Sequence, residues 1–79
     1  MSHQEITHVL DARGLYCPEP VFRTKVTVDQ INVGEYLEVL ADDPASEEDI
    51  SRWAKRTGQN MRSIKKNGKE IRFMIKKVK

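Results

Sequence analysis

Apolar and polar residues alternate in some stretches of this chain and recur at helical spacing in others. Ile6-Thr7-His8-Val9-Leu10 is short, rich in β-formers and stops at Asp11 and Gly14, which predicts a strand. From Val21 to Asn32, at about 100° per residue, Val21, Thr24, Val28 and Ile31 fall on one stripe. That is an amphipathic helix despite β-branched content that local propensity disfavours, and Gly34 is expected to end it. Tyr36 to Ala41 is apolar on both faces, as a central strand would be. Asp42-Asp43-Pro44-Ala45 opens a second helix, with Asp43 suited to the cap and Pro44 to the first helical position. Ser46 with Asp49 offers a competing capping box. Ile50, Trp53, Ala54 and Thr57 form the buried stripe of this helix, acids lead it, Lys55 and Arg56 close it, and Gly58 stops it. Met61 to Lys66 and Glu70 to Val78 flank Asn67-Gly68, a hairpin signal in which both central residues take positive φ. In the last strand Ile71, Phe73 and Ile75 share one face, and Arg72, Met74 and Lys76 the other.

The order β-α-β-α-β-β predicts an α/β two-layer sandwich: a four-stranded mixed sheet with both helices on one face and a right-handed first crossover. Residues 1–79 are expected to form one domain. A hydrophobic fraction of 38% and a charged fraction of 33% are ordinary for a small folded domain and far from the disordered class. No apolar run approaches a membrane span and Met1 to Glu5 carries no signal-peptide pattern, so a cytoplasmic location without membrane insertion is expected. The net charge of +2 does not argue for nucleic acid, although its distribution is uneven. Asp42 to Asp49 is acidic and Lys65 to Lys79 basic. A nucleic-acid-binding module using Arg62, Lys65, Lys66, Lys69, Arg72 and Lys76 is therefore the alternative function, but Phe73 reads as core and no stacking platform is evident. Trp53 also reads as core, His8 as structural, and Lys76, Lys77 and Lys79 as a solvated tail.

Cys17 is the one cysteine, in Gly14-Leu15-Tyr16-Cys17-Pro18-Glu19-Pro20. A lone thiol excludes a disulfide framework, and one Cys with two His falls short of a structural zinc site, so no metal is expected. Pro20 stands where a dithiol motif would place its second cysteine. If Cys17 caps the first helix, Pro18 and Pro20 occupy first-turn positions whose N–H groups have no intrahelical partner. Glu19 precedes a proline and is biased away from helical angles, so the regular helix could instead begin at Pro20. Either way the sulfur lies within about a turn of a helix N-terminus, where the dipole favours a thiolate. The N–H groups of Glu19 and Val21, with Arg13, would support the anion, while the Glu19 carboxylate would oppose it. The expectation is an exposed thiol more acidic than a free one. Such a thiolate suits sulfur carriage as a persulfide, covalent catalysis, or a redox-regulated adaptor. Catalysis fits least, because it needs a base and a sizeable pocket.

Leu10-Asp11-Ala12-Arg13-Gly14-Leu15-Tyr16-Cys17-Pro18-Glu19-Pro20-Val21 resembles the N-terminal signature of the TusA/SirA family of sulfur-carrier proteins. Val39 to Ala45, followed by Asp49-Ile50, resembles that family's second block. The resemblance implies a carrier in which Cys17 holds a transient persulfide, with no other cofactor and with sulfurtransferase activity only as persulfide relay. It implies a cysteine desulfurase or rhodanese-like donor and an acceptor protein in transfer RNA thiolation, cofactor synthesis or sulfur metabolism. It also implies a fold like the C-terminal domain of a bacterial translation initiation factor. Phe22 and Val26 depart from the longer or charged residues common at those places in the family. They lie opposite the first helix's buried stripe, where either one packs under the N-terminal tail or a loop, or they form an exposed apolar patch beside Cys17 for a partner. Asp42 and Asp43 are a helix cap first and a partner contact second.

Overall fold

A computed structural model describes residues 7–79. The elements run β1 (Thr7–Asp11), α1 (Glu19–Gln30), β2 (Tyr36–Ala41), α2 (Ala45–Thr57), β3 (Asn60–Asn67) and β4 (Glu70–Lys76). Ile6, placed in the first strand from sequence, and the Met1 to Glu5 tail lie outside the described residues. The four strands form one sheet in the order β1-β2-β4-β3. β1 is parallel to β2, and β4 runs antiparallel to both β2 and β3. This is the expected mixed sheet with two helices.

The core follows from strand periodicity. Leu37, Val39 and Ala41 on β2 face Ile75, Phe73 and Ile71 on β4, register partner by register partner, and all six are buried. Against them pack Val28 of α1, Ile31 just beyond it, and Ile50, Trp53 and Ala54 of α2. α1 buries Pro20, Thr24 and Val28, while Val21 is only half-buried. Thr24 disposes of its hydroxyl by donating to the Pro20 carbonyl (2.8 Å). Thr57, expected in the buried stripe of α2, is exposed.

Two glycines do other work than expected. α1 ends at Gln30 because Ile31 turns extended to bury its side chain, so Gly34 is not the helix stop. It is instead the third residue of an Asn32–Glu35 turn closed by a bond from the Glu35 N–H to the Asn32 carbonyl (3.0 Å). Its φ of 95° is what that position needs. In the hairpin, Asn67 pairs with Glu70 and remains strand, so the two-residue turn is Gly68-Lys69, with positive φ at Gly68 alone. That pattern matches a type II′ turn, which places glycine first.

The C-terminal lysines are not a free tail. Lys77 Nζ donates to the Ile31 carbonyl (2.8 Å), and Lys76 Nζ lies 5.8 Å from the centre of the Tyr36 ring. His8 is structural, as expected. Its Nε2 donates to Glu35 (2.9 Å), which also accepts the Asn32 N–H. The backbone bond from Asn32 and the contact with His8 hold the Glu35 carboxyl below its ordinary value. No helix among the described residues is long and apolar enough to cross a membrane.

Candidate functional site

The parallel strands β1 and β2 end side by side, and the loops that follow them meet. This is the edge at which open α/β sheets place their sites. Ala12 prolongs the pairing through a bond from its N–H to the Leu40 carbonyl (2.7 Å), and the β1–α1 loop then crosses toward the β2–α2 loop. Asp42 accepts the N–H of Gly14 on both oxygens (3.0 and 3.2 Å). Asp43 Oδ2 accepts the N–H of Cys17 (2.7 Å) and its Oδ1 the N–H of Ala45 (3.1 Å). One aspartate therefore bonds the first residue of α2 from just ahead of the Pro44 cap position and anchors the cysteine. Asp42, expected as part of that cap, clamps the facing loop instead.

Cys17 is a free, exposed cysteine. It does not cap α1: the cap position is Pro18, joined to Cys17 by a cis peptide bond, and no side chain bonds to the first turn. Glu19 is already helical, so its bias as a pre-proline residue is overridden. Its N–H donates to the Tyr16 carbonyl (2.8 Å) and is not directed at the sulfur. Arg13 is also diverted. Its guanidinium grips Asp11 with two bonds of 2.9 Å and reaches Glu70 at 3.6 Å. This pairing lowers the Asp11 carboxyl to about 2. Glu19 likewise pairs with Arg23.

The thiol meets acid instead. Cys17 Sγ donates to Asp49 Oδ2 at 2.9 Å. That bond, with lost hydration and the charges of Asp49 and Asp43, pushes the thiol above its ordinary value. The expected lowering of the Cys17 pKa is thus reversed: the charged groups that act on the sulfur among the described residues are the carboxylates of Asp49 and Asp43, and an exposed helix end contributes less than a carboxylate in contact. The capping box of Ser46 and Asp49 does not form. Asp49 faces the thiol, and Ser46 Oγ is buried with no hydrogen-bond partner among the described residues.

Beside the thiol the surface is apolar. Tyr16 is 75% exposed, Phe22 57% and Val26 37%. A groove of about 460 Å³ is lined by Pro18, Val21, Phe22 and Trp53, with Glu19, Lys25 and Arg56 contributing charge of both signs. A second depression brings Val26 together with Phe22 and Leu10. No loop among the described residues covers Phe22 and Val26, and the N-terminal tail lies outside them. Trp53 is core, as expected, and also contributes to the groove wall.

The Sulfurtransferase TusA family model matches residues 8–77, nearly the whole chain. The chain belongs to the TusA family. It is 46% identical over 71 residues to a putative sulfur carrier protein of Archaeoglobus fulgidus, covering 89% of this chain and 92% of that one. It is 43% identical over 68 residues to the sulfur carrier protein TusA of Allochromatium vinosum, covering 86% and 90%. Among solved structures, a SirA-like protein of Desulfitobacterium hafniense superposes with a TM-score of 0.79 at 25% identity, covering 94% of this chain and 100% of that one. The TusA/SirA resemblance and the two-layer fold read from sequence therefore stand.

Sequence reasoning placed Cys17, Pro18, Pro20, Phe22 and Asp43 around one site and missed Asp49, Lys25 and Arg56. A signal for Asp49 existed in the second family-like block, where it reads as a helix-start residue. The basic hairpin is partly neutralised: Lys66 pairs with Glu47, and Arg72 with Glu38 and Glu70.

Proposed function

We propose that this protein is a sulfur carrier that holds a persulfide on Cys17 and hands it to an acceptor protein. The observation that carries the reading is the free, exposed Cys17 held at the head of α1 by Asp43, in a chain matched by the TusA family model over residues 8–77. Cys17 Sγ attacks the terminal sulfur of a donor persulfide. A new S–S bond forms at Cys17, the donor's S–S bond breaks, and the donor sulfur leaves as a thiolate. The proton lost by the Cys17 thiol returns to that leaving thiolate, so nothing is oxidised or reduced overall. Handing on the sulfur repeats the step in reverse order, with the acceptor's thiol as nucleophile.

A cysteine desulfurase or a rhodanese-like protein is the donor class that generates such a persulfide, and a cytoplasmic setting keeps the lone thiol reduced. Phe22 and Val26, with Asp42 and Asp43 on the other side of the thiol, form the docking surface for these partners. The test is loading by a cysteine desulfurase with radiolabelled cysteine, followed by intact mass. The protein should gain one sulfur atom that a reductant removes. Cys17→Ser should keep its circular-dichroism spectrum and gain none. Equal loading of Cys17→Ser would overturn the carrier function.

A further inference from the structure

Eight of the eleven described acidic residues have a basic side chain at ion-pair distance: Asp11, Glu19, Asp29, Glu35, Glu38, Glu47, Glu48 and Glu70. Asp42, Asp43 and Asp49 have none, and these three stand around Cys17. Two of them bind backbone N–H groups and hold loops. Asp49 binds only the sulfur among the described hydrogen bonds, across 32 positions of sequence. Its role is therefore not explained by the fold.

We infer that Asp49 is a positioning residue that keeps the Cys17 thiol protonated and turned against α2 in the free protein, so that loading is confined to a docked donor. An S–H donor to a carboxylate must retain its proton, and the attacking species in sulfur exchange is the thiolate. The groups facing Cys17 act in the same direction: Asp49 from α2 and Asp43 from the β2–α2 loop disfavour the anion. Arg13 and Arg23, the basic residues closest to Cys17 in the sequence, are held by Asp11 and Glu19. Free in solution, the protein thus presents a muted thiol to small electrophiles and disulfides. A donor that brings a positive group to this rim would draw Asp49 away and release the nucleophile beside the incoming sulfur.

The consequence for loading rests on the carrier function, but the state of the thiol does not, and two measurements separate them. Alkylation by iodoacetamide, a neutral probe, is followed against pH. Wild type should show a midpoint above that of a cysteine peptide. Asp49→Asn, which keeps the shape and removes the charge, should lower the midpoint. It should also react faster at neutral pH by about threefold for each unit of the shift, since the more acidic thiolate is also the weaker nucleophile. Asp49→Glu should move the midpoint back toward wild type. Asp43→Asn should shift it less, because Asp43 touches the backbone N–H and not the sulfur. Mere loosening of the loop would raise the rate at every pH without moving the midpoint, and that result would overturn the inference. So would equal shifts from Asp43→Asn and Asp49→Asn, which would mean diffuse charge and not the 2.9 Å bond. The midpoint can also be read in wild type alone from the NMR shift of the Cys17 Cβ. Loading from inorganic polysulfide should be faster in Asp49→Asn than in wild type. If the midpoint moves as stated but no donor loads either protein, the thiol inference stands and the carrier function fails.

Discussion

The starts of the two helices are built alike and put to different ends. Each follows a parallel strand, and each helix has a proline at its cap: Pro18 before α1 and Pro44 before α2. The residue ahead of that proline is Cys17 in one and Asp43 in the other. Asp43 turns one oxygen onto its own helix, at Ala45, and the other onto the Cys17 N–H. Cys17 makes no such contact with α1 and offers its proton to α2 instead. At the same structural position, an acid is committed to the fold and a thiol is left free and exposed. The head of α2 thus holds the head of α1, through Asp43 on the Cys17 backbone and Asp49 on its sulfur.

Removing that support should produce the largest effect. Asp43→Ala loses a cap contact and the anchor of the Cys17 backbone together, and should lower stability by about 1–2 kcal/mol in urea denaturation. Cys17→Ser should barely move the same transition. A loss indistinguishable from that of Cys17→Ser would show that the two helix starts are independent.

The next effect concerns the surfaces that the two helices present. α1 leaves Phe22 and Val26 exposed, whereas α2 buries its apolar stripe of Ile50, Trp53 and Ala54. Phe22→Ala should change stability by less than about 1 kcal/mol, the range of a surface substitution. It should leave loading from polysulfide intact and slow loading from a protein donor, as should Val26→Ala. A loss of about 3–5 kcal/mol, as for a buried aromatic, would make Phe22 core and remove the docking surface.

The smallest effect sharpens the comparison inside the helices. Each has a buried hydroxyl. Thr24 Oγ1 donates to the Pro20 carbonyl, while Ser46 Oγ has no partner among the described residues. Ser46→Ala should therefore raise stability by about 1 kcal/mol, the order of the cost of an unmet buried polar group. Thr24→Val should lower it by a similar amount. Thermal melts of the two variants, run side by side, check the opposite signs.

The sequence alone was enough for every element of the sheet and both helices, because the periods that mark them are local. Repeats of two and of about 3.6 residues decide which side chains share a face, and Ile71, Phe73 and Ile75 show it without any partner in view. It was also enough to single out Cys17, since a lone cysteine, followed here by Pro18 and Pro20, removes most cysteine chemistry. Turn details were less legible: Gly34 and Gly68 stand out as breaks, but the helix end and the hairpin register depended on where Ile31 and Asn67 found their partners. The electrostatics of the thiol lay beyond the sequence. A helix N-terminus and a nearby arginine argued for a lowered pKa, and the folded chain gives the reverse. Arg13 turns to Asp11, while Asp43 and Asp49 arrive from 26 and 32 residues away. The packing of α2 against α1 brings those carboxylates to the sulfur, and no local pattern encodes it. Charge interactions act through space over a few ångströms, so the state of Cys17 was decided by the tertiary structure alone.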